Sequence, residues 1–241
     1  MNAAVGVPLY HQIKEELLDE IKGGRLRPGE RIETEQELMT RHGVSRATVR
    51  QALGQLIAQG YLEVRRGLGT YVAGPKIEQG LLGFYSFSRE VERMGMRPGT
   101  RLLGLVLEPA PDAVAAALEL APGTPVTALR RLRLADDEPL IVETSYLPAE
   151  RFPRLADHDF DHQRLYDILT VDYGARPVRA REVFEPVLLS SEEAEVLGKR
   201  PGDPGLLLER IACDADDRPV EFCRSVVRGD RCRYFVELRE L

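Results

Sequence analysis

Residues 42–53 read HGVSRATVRQAL, and the way that stretch folds decides what the first third of the chain is. Gly43 permits a sharp turn, and Ser45 is a residue type that caps helices, so a helix is expected to open just after it. At about 100° per residue, Val49, Ala52, Leu53 and Leu56 fall on one side of that helix. Ala47, Arg50, Gln51 and Gly54 fall broadly opposite, with Arg46 and Thr48 flanking. The first turn is thus small, polar and basic, and its apolar anchors come later. A solvated arginine face on an ordinary helical bundle would look the same. So would a helix whose N-terminal end enters the major groove of DNA, where bulk clashes and arginine forks onto guanine O6 and N7. The neighbouring sequence separates the two.

Leu9, Ile13, Leu17 and Ile21 recur every fourth residue and predict an amphipathic helix ended by Gly23 and Gly24. LRPGERI is a turn, and Thr34 with Glu37 forms a capping-box pattern for a short second helix that stops at Gly43. The third helix is predicted to run from Ser45 to about Gln59. YLEVRRGLGTYVAG, residues 61–74, then places β-prone residues either side of a glycine-rich tip and predicts a hairpin. Helix, turn, helix and wing in that order favour DNA. Ser45 and Thr48 can donate to phosphates beside the positive end of the helix. Gly67 and Gly69 let the wing approach a sugar–phosphate backbone, and Arg65 or Arg66 adds charge there.

The bulk composition narrows the rest. The chain has 241 residues, a net charge of -6 and 43% hydrophobic residues, which is long for one domain and comfortable for two. Residues 1–75 hold ten lysines and arginines against nine acids, so the acidic surplus lies in the remainder. No apolar run approaches the roughly 20 residues of a membrane span, no signal-peptide pattern opens the chain, and Cys213, Cys223 and Cys232 lack metal spacing. Thiols in a reducing cytoplasm are the expectation. AGPKIEQG carries glycine, proline and charge without an apolar period and reads as a linker. The expected division is a DNA-binding head over 1–74, a linker over 75–80 and a second domain over 81–241.

That second domain reads as short strands and hairpins with occasional helices, so a mostly antiparallel sheet is expected. TRLLGLVLE is a strand, PDAVAAALEL a helix capped by Asp112, and PVTALRRLRLADDEPLIVETSYLP a long hairpin. RLYDILTVDYG is a helix, RPVRAREVFEPVLL a strand, SEEAEVLG a helix capped by Ser190, and GLLLERIACDADDRPVEFCRSVVRGD a hairpin before a final strand RYFVELREL. Alternation puts Arg131 and Arg133 on one face of their strand and Glu143 and Ser145 on one face of the next. The loop at Asp136–Glu138 allows two registers, so which residues lie opposite is left open. Paired arginines suggest a phosphate or carboxylate clamp, or a salt-bridged sheet face. His158 and His162 are four apart among aspartates, but no third metal ligand is fixed, and no metal or cofactor is expected. GxSxG, P-loop and HExxH signatures are absent, so no enzyme is expected.

PLYHQIKEELLDEIKGGRLRPGERI, EQEL and HGVSRATVRQALGQLIAQGYLEVRRGLGTYV resemble the winged-helix domain of the GntR family of bacterial transcription regulators, over residues 8–72. The resemblance implies DNA contacts at Ser45, Arg46, Ala47, Thr48, Arg50, Arg66 and Gly67. The family's LPSER opening is IETEQ here, so Glu33 replaces a proline and Gln36 an arginine at a DNA-contacting position. Residues 80–241 resemble the UTRA effector domain of the HutC branch, through RLRLADDEPLIVETSYLP, LYDILTVDYG and PVEFCRSVVRGDRCRYFVEL. This implies an α+β protein: a winged helix-turn-helix joined to a chorismate lyase-like antiparallel sheet with flanking helices. It also implies an effector pocket at Phe87, Ser88, Arg131, Arg133, Glu143, Tyr166 and Glu221. Arg164 stands where the family has serine and Val227 where it has tyrosine, which argues for a more acidic or less hydroxylated effector than an amino-sugar phosphate. The expectation is a cytoplasmic, homodimeric repressor that reads a palindromic operator in double-stranded DNA under the control of a small anionic metabolite such as a sugar phosphate.

Overall fold

The computed structural model describes residues 7–65, 67–74, 76–80 and 87–237. The chain divides into two units, Met1–Lys76 with Gly229–Arg231, and Ile77–Arg228 with Cys232–Leu241.

In the first unit, α1 (Leu9–Lys22), α2 (Glu35–His42) and α3 (Arg46–Ala58) are followed by a hairpin of β1 (Leu62–Arg65) and β2 (Gly69–Val72). Each helix contributes one apolar face to a single core: Ile13 and Leu17, Leu38, then Val49, Leu53 and Leu56. The boundaries are set locally. Thr34 Oγ1 accepts from Glu37 N while Thr34 N donates to the Glu37 carboxylate, a complete capping box. Gly43 ends α2 at φ 65°, a left-handed conformation that glycine adopts without strain. Ser45 Oγ accepts from Thr48 N and starts α3. Each such cap is worth about 1 kcal/mol. Past α3, Gly60 at φ +74° lies against Asp230 of the same unit, and Arg231 donates to the Gly74 carbonyl at 2.7 Å. That is how three residues from far along the chain come to belong here.

The second unit opens with β3 (Ile77–Gly80) and α4 (Phe87–Arg93). It continues through β4 (Pro98–Pro109), α5 (Asp112–Ala117), β5 (Pro125–Ala135), β6 (Glu138–Pro148), α6 (Leu165–Val171) and β7 (Arg179–Leu188). It finishes with α7 (Ser191–Leu197), β8 (Pro204–Cys213), β9 (Pro219–Arg228) and β10 (Cys232–Phe235). Six strands form one antiparallel sheet in the order β4-β5-β6-β9-β8-β7, as the run of hairpins in the sequence implies. Side chains alternate across it. Val126, Tyr146 and Phe222 meet α5, and Leu132, Val142, Leu207 and Val226 meet α7. On the other face, Leu129, Leu147 and Ala212 meet α6, while Ile141 and Val227 meet α4. α4 and α6 thus share the face that carries the charged residues.

The structure departs from the sequence expectations at four places. Residues 77–80, assigned to the linker, form β3, which pairs in parallel with β10; a partner some 155 residues away leaves no local signal. α4 was not anticipated. Asp112 is the first helical residue of α5 rather than its cap, because Pro111 occupies that place and offers no side-chain acceptor. The final strand ends at Phe235 rather than running on through residues 236–237. The register that the sequence left open is Arg131 opposite Glu143 and Leu129 opposite Ser145, with an irregularity after Arg133.

Candidate functional site

On the first unit, Arg46, Ala47 and Arg50 stand exposed on the first turn and a half of α3, with Thr48 half-buried beside them. Their backs are fixed by Val49, Ala52, Leu53 and Leu56, all buried. Ser45 and Thr48 hydroxyls lie 3.0 Å apart, so the two groups expected at a phosphate point the same way. Glu35 on α2, which the sequence did not single out, comes within 3.7 Å of the Nε atoms of both Arg46 and Arg50. At an exposed site that contact is weak, but it gathers the two guanidinia on one side. Gln36 is exposed beside it. Glu33 pairs with Arg41, which also meets Glu16 and Glu20, so Arg41 ties α2 to α1 and the residue replacing proline braces Arg41 from the segment before α2. In the wing, Arg65 stacks over the Tyr71 ring at 4.3 Å and pairs with Glu63, which commits it to the hairpin. Gly67 sits at φ +76° with open space where a side chain would point. Arg66 lies outside the described residues.

The second unit encloses a cavity of about 270 Å³ between the sheet and helices α4 and α6. Register builds its floor. Arg131, Glu143 and Ser225 form one row across β5, β6 and β9, and Ser145, Cys223 and Arg210 the next across β6, β9 and β8. Glu143 accepts from Arg131 at 2.7 Å and from Arg133 at 3.3 Å. Arg131 also donates to Ser145 at 3.3 Å, and Arg133 to Ser88 at 2.9 Å while stacking over Phe87. Both arginines are more than nine-tenths buried, and the Nε of each has no hydrogen-bond partner among the described residues. Burial opposes ionisation of Glu143, yet Arg131 and Arg133 outweigh it and hold the carboxyl below its ordinary value. Burial likewise pulls the Arg133 guanidinium down against the pull of Glu143.

Tyr166 donates to Glu221 at 2.5 Å. Burial and then the Glu221 charge push that phenol well above its usual value, so it stays a neutral donor. Burial pushes the Cys223 thiol up to about 12, which leaves it unreactive. Phe87, Ser88, Arg131, Arg133, Glu143, Arg164, Tyr166 and Glu221, the residues named from the resemblance or as its departure, all line this one cavity. Arg210, held by Glu182, lines it too; its sequence carries no sign of this beyond a place in a hairpin strand. Val227 packs instead with Ile77, Val91 and Ile141. His162 pairs with Asp159, and His158 sits against Phe160 and Tyr173, so the two histidines are engaged separately.

Comparison with known proteins agrees with this division. The model of the bacterial regulatory proteins of the gntR family matches residues 9–72, and the UTRA domain model matches residues 93–233. The HTH-type transcriptional repressor NagR of Bacillus subtilis is 37% identical over 96% of this chain and 95% of its own length. A probable fructoselysine utilization operon transcriptional repressor of Escherichia coli is 30% identical over 90% of both. The crystal structure of PhnF from Mycobacterium smegmatis superposes with a TM-score of 0.67 at 32% identity, over 96% of this chain and 99% of that one. From the capped recognition-type helix to the sheet with its charged cavity, the chain belongs to the gntR family of bacterial regulatory proteins, DNA-binding transcription regulators in which a winged helix-turn-helix is joined to a UTRA domain.

Proposed function

We propose that the protein is a homodimeric repressor that reads a palindromic operator through α3 and the wing and answers to a small anionic metabolite, such as a sugar phosphate, held in the cavity. The carrying observation is the arginine pair. Arg131 and Arg133 are buried side by side with one carboxylate between them, and the Nε of each has no partner among the described residues. Two buried guanidinia that outnumber their counter-charge are stabilised by an incoming phosphate or carboxylate, which accepts their fork of donors. Ser88, Tyr166 and Glu221 would orient the remainder of the ligand, and no residue of the cavity is assigned a catalytic role. On the DNA side, Arg46 and Arg50 would reach base edges, with Ser45, Thr48, Gly67 and Arg66 on the backbone. Two copies would match two half-sites, since protein symmetry imposes operator symmetry. Acting on bacterial DNA would place the protein in the cytoplasm, and among the described residues no helix is long and apolar enough to cross a membrane.

The test is a gel shift on the DNA upstream of the protein's own gene, with and without a panel of phosphorylated sugars. A discrete complex released by an anionic member supports the reading. A sequence-independent smear, or release by neutral ligands alone, overturns it. Arg50→Ala should abolish the specific complex and leave the oligomeric state unchanged.

A further inference from the structure

The six-stranded sheet ends in β4 on one side and β7 on the other, and the two edges are built differently. β7 exposes Val183 and Leu188, but Pro186 between them has no N–H to donate, and Arg179, Arg181 and Glu185 stand exposed along the same strand. Charge and proline keep an edge from pairing. β4 has neither between Leu102 and Leu107, where Leu102, Val106 and Leu107 are 38%, 55% and 67% exposed. Arg101 stands before that run and Glu108 after it, and neither has an ion pair among the described residues.

Register decides which way these residues face. Arg101 lies opposite Leu132 and Glu108 opposite Val126, so both belong to the sheet face that meets α7 and α5. Gly104 and Val106, opposite Arg130 and Ala128, share that face, while Leu102, Leu105 and Leu107 take the other. Leu103 is absorbed by the irregularity between Leu102 and Gly104. The resulting pattern complements itself when reversed. With Leu105 opposite itself across a twofold axis, Val106 meets Gly104 of the other copy, Leu107 meets Leu102, and Glu108 meets Arg101. Both members of each pair lie on the same face. Gly104 has open space where a side chain would point, and Val106 fills it. Leu102 sends its N–H away from β5 to Asp161 at 2.6 Å, so Leu102, Leu105 and Leu107 present the hydrogen-bonding groups of this edge.

We infer that two copies of the chain associate through β4, whose antiparallel self-pairing joins their two large sheets into one. This rests on the homodimer reading above and names its surface. Charge complementarity selects a second copy as the occupant: Arg101 and Glu108 of one chain lie about 20 Å apart along the strand, so they meet only between copies. Asp161 holds the Leu102 N–H in the separate chain, and the incoming strand displaces it.

Sedimentation velocity of the full-length protein over a concentration series tests this, with far-UV circular dichroism checking that each variant is folded. Arg101→Glu and Glu108→Arg should each weaken the dimer about tenfold, because the twofold axis makes every substitution count twice. The double variant, Arg101→Glu with Glu108→Arg, restores opposite charges across the axis and should return to within about threefold of the wild type. Asp161→Ala removes the competitor for the Leu102 N–H and should tighten the dimer about threefold. Val183→Lys on β7 should leave it unchanged. A wild-type dimer that both single charge variants leave intact, or a double variant weaker than either single one, overturns the β4 proposal alone. So does dissociation by Val183→Lys. A wild type that stays monomeric both alone and on the DNA upstream of its own gene removes the homodimer reading, and this proposal with it.

Discussion

Glu143 stands between two buried arginines, and its loss would leave two desolvated cations without a counter-charge. Breaking such a buried cluster by removing one partner costs about 3–5 kcal/mol, so Glu143→Gln should lower unfolding free energy in urea by about 3 kcal/mol. Millimolar phosphate should restore part of that loss by binding only the folded state, and the wild type should gain less from the same addition. The sign of the pH dependence follows from the depressed carboxyl. A Glu whose folded value lies below its ordinary 4.5 contributes stability that is complete above that value and is lost as pH falls through the folded one. The wild type should therefore lose stability on acidification below about pH 4.5 more steeply than Glu143→Gln; equal slopes would contradict the pairing. Gly60 poses a different residue-scale constraint. Its φ is +74°, and a Cβ there would lie 1.9 Å from the Asp230 carbonyl oxygen. A side chain in left-handed backbone and a clash with backbone add together, so Gly60→Ala should cost more than about 2 kcal/mol in the first unit, read as a lowered Tm.

α3 presents a contrast within one element. Gly54 lies in its middle, facing out, with open space at its Cβ position and no positive φ. Gly54→Ala should stabilise the helix by about 1 kcal/mol, measured by urea unfolding. α2 carries the other element-scale prediction. Gln36 is exposed beside Glu35, and Gln36→Arg would add a cation where the family pattern has one. If that position faces a phosphate, log K against log salt for operator binding steepens by about 0.9; an unchanged slope would show that it does not. These elements were legible because their signals are local: a capping box spans four residues, and the buried face of α3 repeats every three or four. The strands of the large sheet were legible for the same reason, each hairpin carrying its turn. β3 and α4 were not, since a short polar strand is defined by a distant partner and Phe87–Arg93 is only two turns long. The cavity was half legible. Alternation put Arg131 and Arg133 on one face, but only the register after the irregular turn brings Glu143 opposite Arg131 and Ser225 opposite Glu143. Arg210 and Glu35 act through neighbours on other elements, which no spacing along the chain reveals.

At the scale of the whole molecule, operator binding and effector binding belong to different units, and the chain passes between those units at 76–77, 228–229 and 231–232. β9, which carries Glu221 and Ser225 on the cavity floor, runs covalently into Gly229, a residue of the DNA-binding unit. Whatever the structural route, the coupling must be reciprocal. If a saturating effector weakens operator affinity by a given factor, saturating operator weakens effector affinity by that same factor, and typical couplings are about 5–150-fold. Both arms can be measured on the wild type: anisotropy of a labelled operator with effector saturating or absent, and calorimetry of the effector with operator saturating or absent. Arg50→Ala supplies the control. It should bind the effector as the wild type does without DNA, and added operator should no longer change that affinity, because Arg50 and the cavity residues belong to different units. Unequal factors on the two arms of the wild type would mean that DNA and effector engage different oligomeric states. An altered effector affinity in Arg50→Ala without DNA would instead mean that the recognition helix takes part in holding the ligand.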